Sequence, residues 1–457
     1  MSDVPTPKLR PSELSRRGPP PASGSPAPSA FFDALEQRAP AAREQAQLAA
    51  LPGLVAHAQA NTAAFADILL GVNAADVTSR TALAALPVTR KQALFERQRA
   101  TRALGDGNEP FGGFSAIGWA GLSIPRGARR VFQSPGPIYE PEGQGGDYWR
   151  VARALFAAGF RAGDLIHNSF SYHLTPAGSM METGAHAIGC AVFAGGVGNT
   201  ELQLQAMADL RPRGYTGTPS FLKIALDKAT ELGLALPWLS KALVSGEACP
   251  PSLRVWLRAR GVEAYQCYAT ADVGLIAYET AARDGLVLDE GVIVEIVRPG
   301  TDDPVPEPKP GQAPEVGEVV VTVLNLDYPL IRFGTGDLSA VLPGQCPTGR
   351  TQTRIRGWMG RADQTAKVRG MFVHPSQVAE IVRRYPDVTR ARLVVAGEMA
   401  NDRMTLRVEA GAASEGLAQR IAEAIRDVTK LRGDVELCAP GSLPNDGKVI
   451  EDTRKYE

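Results

Sequence analysis

Cysteine is scarce in this 457-residue sequence, and its five cysteines show none of the close spacing of a metal or redox motif: Cys190, Cys249, Cys267, Cys346 and Cys438. Their scatter argues against a structural zinc site and against a disulfide framework. Free, dispersed cysteines are typical of a reducing compartment, so we expect a cytoplasmic protein.

An excess of either charge is also missing, because 49 Lys and Arg residues balance 49 Asp and Glu residues. No global field therefore favours nucleic acid or an anionic membrane surface. The sequence lacks apolar runs of about 18 residues, and its first residues lack the order of a signal peptide. We expect no nucleic-acid or membrane partner, and a small metabolite as the ligand.

The chain is long enough for two or three units of about 150 residues each. Residues 1–29 are dominated by Pro, Ser, Gly and Ala, which predicts a disordered tail. A mainly helical segment begins at Phe31, and Thr89 is expected to cap one of its helices. Further on, Thr200 and Gln203 fit a capping box at the start of another helix.

Between about 145 and 275, strand-like and helical stretches alternate at the spacing of βαβ units, which predicts a largely parallel sheet covered by helices. The strand candidates are residues 165–168, 190–193, 214–217, 243–245 and 263–268. Runs at 292–297 and 318–323, separated by the proline-rich loop 304–314, predict an antiparallel sheet or a small barrel.

After about residue 360 the pattern changes to that of a compact α+β unit. The complete prediction is therefore an α/β fold with a large N-terminal domain at 30–360, combining a parallel sheet with a smaller β-barrel-like part. A smaller, mobile α+β domain follows at 361–457.

The most informative stretch is a glycine-rich turn at 334–337 that ends in Asp337. An ionised carboxylate on such a turn can accept hydrogen bonds from both hydroxyls of a cis-diol such as ribose. By itself, the Gly-Thr-Gly-Asp string fits an ordinary turn between two strands equally well.

This string does not stand alone. IRFGTGDL (331–338), GRADQTAKVRGMFVHPSQV (360–378) and GSLPNDGKV (441–449) follow one another, preceded by SGEACP (245–250) and YATADVG (268–274). In this order they resemble the adenylate-forming superfamily, specifically its phenylacetate-CoA ligase branch. The resemblance covers residues from about 30 to 457.

The resemblance implies roles for the residues that match these motifs. Asp337 would bind the ribose hydroxyls, and Tyr268 would lie against the adenine ring. Gly246 and Glu247 would contribute to the nucleotide pocket, and Thr270 to the phosphate region.

In the C-terminal part, Arg361 would lie beside the nucleotide, and Asp363 matches the hinge about which this domain turns between half-reactions. Gly370 would line the route of the pantetheine thiol. Lys448 matches the late lysine that enters the site during adenylation, where an ammonium can neutralise charge on the carboxylate and α-phosphate.

The phosphate-binding loop departs from the family pattern at residues 132–141. Pro135 and Pro137 each remove an amide donor, the usual lysine is absent, and Glu140 adds a negative charge. Ser134 and Gly136 remain as candidate phosphate contacts. The alteration puts the handling of ATP in doubt.

A second departure is Asp272, which stands where the family has Glu. An aspartate is one methylene shorter and can still bind Mg²⁺, so Asp272 is the predicted metal ligand and a catalytic candidate. The acyl pocket is predicted at Phe170, Tyr172 and His173, which suit a flat aryl group. Simple core packing of Phe170 and Tyr172 is an equally good interpretation.

The sequence predicts an enzyme that uses ATP, Mg²⁺ and CoA. A carboxylic acid, aryl or arylacetic, becomes an acyl-adenylate, and the CoA thiol then forms the thioester. Transfer to an amine or a carrier protein is a close variant. A catalytically silent nucleotide-binding protein, or an unrelated α/β binding protein with chance motifs, would also fit the sequence. A homodimer is the assembly we expect, although no motif specifies it.

Overall fold

The computed structural model describes residues 30–104, 110–306, 308, 312–362, 364–398, 401–410, 416–444 and 448–454. The predicted tail at 1–29 lies outside these residues, as does part of the loop 304–314. The described helices are α1 Pro40–Asn61, α2 Ala63–Ile68, α3 Arg80–Ala84, α4 Lys91–Ala103, α5 Ala152–Ala157, α6 Ala177–Ala187, α7 Thr200–Leu210, α8 Pro219–Glu231, α9 Pro251–Arg258, α10 Pro375–Arg383 and α11 Leu417–Thr429.

The described strands are β1 Thr89–Arg90, β2 Arg130–Ser134, β3 Ile138–Glu142, β4 Leu165–Asn168, β5 Ala191–Ala194, β6 Gly214–Gly217, β7 Lys241–Val244, β8 Glu263–Thr270, β9 Gly274–Glu279, β10 Leu286–Leu288, β11 Val292–Val297, β12 Gly317–Val323, β13 Phe333–Ser339, β14 Val341–Leu342, β15 Arg354–Ile355, β16 Ala366–Val368, β17 Met371–Val373, β18 Val388–Glu398, β19 Asn401–Ala410, β20 Asp434–Cys438 and β21 Ile450–Asp452. None of the described helices is both long and apolar enough to cross a membrane.

The largest sheet runs in the order β14-β15-β10-β9-β8-β7-β6-β4-β5. Five of these strands, β5, β4, β6, β7 and β8, are parallel, which confirms the predicted mixed α/β fold. Parallel strands need helical crossovers, and α6 to α9 supply them. Because the strands point the same way, their carboxyl ends form one edge, where ligands bind in folds of this kind.

A second sheet has the order β1-β13-β12-β11 and is built largely of buried valines. The pairs β11–β12 and β12–β13 are antiparallel, so this part forms an antiparallel sheet, one of the two forms predicted for it. Strand β1 joins it in parallel to β13. This pairing brings the start of α4 close to the Gly-Thr-Gly-Asp turn.

The C-terminal part contains a sheet in the order β20-β19-β18-β21 with helices α10 and α11 packed on it. Its core includes Leu393 and Val395 from the sheet and Ile421 and Ile425 from α11. An α+β unit is therefore present as expected. Its boundary near residue 360 stays a prediction.

Two predicted helix caps are wrong. Helix α4 begins after Arg90 without a side-chain cap, and Thr89 is in β1, where it pairs with Phe333. Helix α7 begins after Asn199, also without a side-chain cap. The Gln203 amide instead donates to backbone carbonyls of the preceding loop and contacts His167, so it cannot complete a capping box.

The segment before α1 is anchored by a buried carboxylate. Glu36 accepts hydrogen bonds from the Tyr278 hydroxyl at 2.7 Å and from Arg350 Nε at 2.6 Å. Its other oxygen accepts from the backbone amide of Phe32 at 2.6 Å. A buried carboxylate with three donors is well satisfied, so this contact fixes the chain before the first helix onto β9.

Arg332 is fully buried beside the second sheet and pairs with Glu295 at 3.0 Å. Its guanidinium also donates to three backbone carbonyls, those of Ala84, Leu86 and Asp302. One side chain thus satisfies acceptors from α3, the turn that follows it and the loop after β11.

We expect Arg332→Met to lower the free energy of unfolding by about 3–5 kcal/mol, since it leaves a buried carboxylate and three carbonyls without their donor. Urea denaturation measures this. The control is Arg298→Met, which removes an exposed pair with Glu315 and should cost no more than about 1 kcal/mol. Equal losses in the two variants would contradict the assignment.

Candidate active site

The candidate site lies at the carboxyl ends of the parallel strands, beside the second sheet. The turn after β7 carries Gly246 and Glu247, and the turn after β8 carries Asp272. Gly246 has a φ of +82°, a left-handed conformation that glycine adopts without strain. Most of the predicted nucleotide residues therefore come from two adjacent strand ends and from β13.

Asp337 is the point where these elements meet. Its Oδ2 accepts a hydrogen bond from the Tyr268 hydroxyl at 2.9 Å, and its Oδ1 accepts from Arg361 at 3.0 Å and from the Trp358 indole at 3.0 Å. The Arg361 guanidinium also donates to the carbonyl of Thr335 at 2.9 Å. The structure thus brings together three residues that the sequence selected for the nucleotide.

Trp358 was not predicted from the sequence. An ionised carboxylate has about four acceptor positions, and Tyr268, Trp358 and Arg361 use three of those on Asp337. A ribose diol would have to take the remaining position and share or displace a second donor. The only local signal for Trp358 was an aromatic residue just before the Gly360-Arg361 motif.

Glu247 and Gly370 also lie together. Glu247 accepts a hydrogen bond from the Ser220 hydroxyl at 2.5 Å, and a Cβ atom at Gly370 would lie 3.9 Å from its Oε1. The carbonyl of Gly246 accepts a hydrogen bond from the Lys367 ammonium. The turn between β16 and β17 therefore faces the turn after β7.

The altered loop forms a hairpin of β2 and β3, with Gly136 in its turn. Ser134 donates its hydroxyl, and its backbone amide at 3.3 Å, to the carboxylate of Glu140 across the hairpin. Burial, followed by the nearby charge of Asp272, raises the pKa of Glu140 to about 8. The donors of Ser134 that were expected to bind phosphate are thus already bound to a carboxylate of the same loop.

Lys91 is a site residue that sequence reasoning missed. Its ammonium donates to Oδ2 of Asp272 at 2.7 Å. Burial lowers the pKa of Lys91, but the charges of Asp272 and Glu140 outweigh this effect and raise it above its usual value. A cation from the start of α4 therefore stands beside the loop that lacks its own lysine.

Asp272 can be tested as a metal ligand. It is buried, and its Oδ1 has no hydrogen-bond partner within the part of the chain that the structure describes. The described residues include no group of three His, Cys, Asp or Glu side chains suited to a metal. A single orphaned carboxylate oxygen fits Mg²⁺, which commonly takes one or two protein carboxylates and completes its shell with phosphate and water.

The remaining predicted residues are placed less uniformly. Thr270 ends β8 and accepts a hydrogen bond from the amide of Val273 at 3.3 Å, so it shapes the turn that carries Asp272. Lys448 is exposed, outside the group around Asp337. Asp363, the predicted hinge, lies outside the described residues.

The predicted acyl pocket is only partly assembled. Phe170 is buried, and its ring would lie 3.9 Å from a Cβ atom at Gly246. The Tyr172 hydroxyl accepts a hydrogen bond from Asn168 at 2.7 Å. His173 is exposed, so of the three aromatic candidates Phe170 is the one that contacts the site.

Comparison with known proteins agrees with this geometry. Residues 370–454 match the family model described as the AMP-binding enzyme C-terminal domain. The phenylacetate-coenzyme A ligase of Thermus thermophilus is 30% identical over 338 residues, covering 67% of this chain and 75% of that protein. The enzyme of the same name from Aromatoleum evansii is 29% identical over 399 residues, covering 82% and 84%.

Among solved structures, 2-hydroxyisobutyryl-CoA ligase in its thioesterification state, with 2-HIB-AMP and CoA, has a TM-score of 0.77 at 24% identity and covers 94% of each chain. The open conformation of that protein has a TM-score of 0.67, with 93% of this chain and 95% of that chain covered. This likeness concerns the fold and the arrangement of its parts.

A parallel sheet with an Asp-Tyr-Arg cluster at its carboxyl edge and a separate C-terminal α+β unit defines an adenylate-forming enzyme. Within that class, the chain belongs to the phenylacetate-CoA ligase family.

The raised pKa of Glu140 has a consequence for stability. Between the ordinary carboxyl pKa near 4.5 and about 8, the folded protein holds a proton on Glu140 that the unfolded chain has released, so this group makes the folded state less stable as pH rises. We expect Glu140→Gln to gain stability relative to the native protein at pH 8.5 but not at pH 4.5. Urea denaturation at the two pH values measures this. A pH-independent difference would contradict it.

Proposed function

We propose that this protein activates a carboxylic acid with ATP, forming an acyl-adenylate and pyrophosphate, and then transfers the acyl group to the thiol of CoA. The observation that carries this proposal is the convergence of Tyr268 and Arg361 on Asp337, next to the pair of Lys91 and Asp272. The names of the related phenylacetate-CoA ligases support the same reaction class.

In this proposal Asp337 binds the ribose hydroxyls with one carboxylate, while Tyr268 and Arg361 hold that carboxylate in position. Gly246 and Glu247 form the neighbouring wall of the nucleotide pocket, and Thr270 shapes the phosphate turn. The acyl-adenylate gives the carboxylate carbon a good leaving group before the thiol arrives.

Lys91 takes over the charge that the altered loop has lost. A lysine is a compact point charge that suits a phosphate oxygen, and it can serve from any chain position that brings it to the same point. Mg²⁺, carried in with ATP, would be held by Asp272 through its orphaned oxygen and would neutralise phosphate charge there. Ser134 and Gly136 then contact phosphate only after Glu140 has released Ser134.

The substrate is an aryl or arylacetic acid in this proposal, because Phe170 borders Gly246 and Tyr172 lies nearby in the chain. The Gly370 turn beside Glu247 supports CoA as acceptor, since it leaves an approach without a side chain. We infer a cytoplasmic protein, and we keep the homodimer as the assembly to test.

One observation favours a second candidate, a silent nucleotide-binding homologue. Glu140 occupies both donors of Ser134 in a hairpin that lacks the family lysine. If this contact persists when ATP is offered, the protein would bind nucleotide without cleaving it. Transfer to an amine or a carrier protein is the variant that a CoA-dependence assay separates.

Pyrophosphate release with MgATP, measured over a panel of aryl, arylacetic and aliphatic acids with and without CoA, tests the proposal. We expect release that depends on an aryl or arylacetic acid, and thioester only when CoA is present. Lys448→Ala should reduce release by about a hundredfold, as expected when a charge that stabilises the transition state is lost. Nucleotide binding without release from any acid would favour the silent homologue.

Lys91→Met provides a separate test of the phosphate site. We expect the KM for ATP to rise, or pyrophosphate release to fall, by at least about tenfold, because an ammonium beside the phosphates is lost. The control is Arg99→Met, which removes an exposed cation from the same helix and should leave the kinetics unchanged. Wild-type kinetics in Lys91→Met would show that the phosphates bind elsewhere.

A further inference from the structure

Lys367 stands apart from the other cations of the site because it comes from β16, close to the segment that matches the C-terminal family model. Its ammonium donates to the carbonyl of Gly246, and a Cβ atom at Gly246 would lie 3.7 Å from it. The contact is with the turn that also borders Phe170. The β16 strand therefore carries a positive charge to the junction of the nucleotide and acyl regions.

The charges around Lys367 are those of the nucleotide site. Burial lowers its pKa, the carboxylates of Glu247 and Asp337 oppose that effect, and the cations Lys91 and Arg361 reinforce it. Three cations thus share one centre with these acidic groups. Such a concentration of positive charge favours an additional anion, and a phosphate is the anion that this family of reactions places there.

Lys448, the lysine predicted for adenylation, is in a different situation. It is exposed, and the next residue, Val449, donates its amide to Gln364 and accepts a hydrogen bond from the amide of Leu393. In the described arrangement the C-terminal part thus presents Lys367 to the centre and keeps Lys448 at the surface. Only one of these two lysines is set to act on a bound acyl-adenylate.

We propose that Lys367 is the catalytic cation of the second half-reaction, binding a phosphate oxygen of the acyl-adenylate while the CoA thiol attacks. This inference rests on the proposed function and extends it to a residue with no role in it so far. Lys448 serves adenylation, and Lys367 serves thioester formation.

The chemistry of the step explains why a cation is needed. The bond between sulfur and the acyl carbon forms, and the bond between the acyl carbon and the phosphate oxygen breaks. The electron pair of the broken bond stays on AMP, and the thiol proton is released to water. Negative charge on the phosphate therefore grows as the transition state develops, and an ammonium there stabilises the transition state more than the ground state.

The test separates the two half-reactions of the full-length protein. Pyrophosphate release in a single turnover without CoA measures adenylation. Thioester formation from a supplied acyl-adenylate and CoA measures transfer, using the adenylate of the acid most active in the release assay, or phenylacetyl-adenylate if no acid is active. Lys367→Met keeps the length of the side chain and removes its charge.

We expect Lys367→Met to slow transfer by about a hundredfold and to change adenylation by less than about threefold, since a preorganised charge acting in one step affects that step alone. Lys367→Arg should recover much of the transfer rate. The control is Arg369→Met, which removes a cation from the same hairpin that contacts Asp402 instead, and which should alter neither step.

Equal loss of both half-reactions in Lys367→Met, or no loss of transfer, would overturn the inference. Equal loss with a lowered melting temperature would assign Lys367 a structural role only, which also overturns it. Absence of pyrophosphate release in the unaltered protein would refute the proposed function alone, because transfer from supplied acyl-adenylate would still report on Lys367. If the unaltered protein also forms no thioester from supplied adenylate, both proposals fail.

Discussion

The site depends on one nearly buried carboxylate. Asp337 receives donors from the parallel sheet through Tyr268, from the segment after β15 through Trp358, and from the beginning of the C-terminal part through Arg361. Little water reaches the group, so these charge-assisted hydrogen bonds are stronger than equivalent surface contacts. Without that shared acceptor, the three segments would have no common reference point, and Lys367 would lose the frame that brings it to Gly246.

Much of the fold could be predicted from local pattern. The strands that became β4, β6 and β8 stand out as short apolar runs between helical stretches, and alternation at this spacing specifies parallel pairing. The candidate residues Asp337, Tyr268 and Arg361 belong to contiguous motifs, and the structure brings them together. The caps at Thr89 and Thr200 failed because tertiary pairing decided the conformation there: Thr89 joined β13, and Gln203 turned towards His167.

Lys91 and Lys367 could not be found in the same way. The ion pair of Lys91 with Asp272 joins residues 181 positions apart, and the contact of Lys367 with Gly246 joins residues 121 positions apart. No local pattern marks a lysine for such a partner, since most lysines occupy solvated surfaces. Ser134 shows the reverse case: its sequence context suggested a phosphate contact, but the structure binds its donors to Glu140.

The Glu36 contact also bears on how the chain can be shortened. Removing everything before α1 would take away the acceptor of Tyr278 and Arg350, two polar groups inside the folded core. A buried donor without its acceptor costs stability even though no helix or long strand has been deleted. In domain-boundary terms, the folded unit starts near residue 30, about ten residues before its first α-helix, and a truncation guided by secondary structure alone would cut inside it.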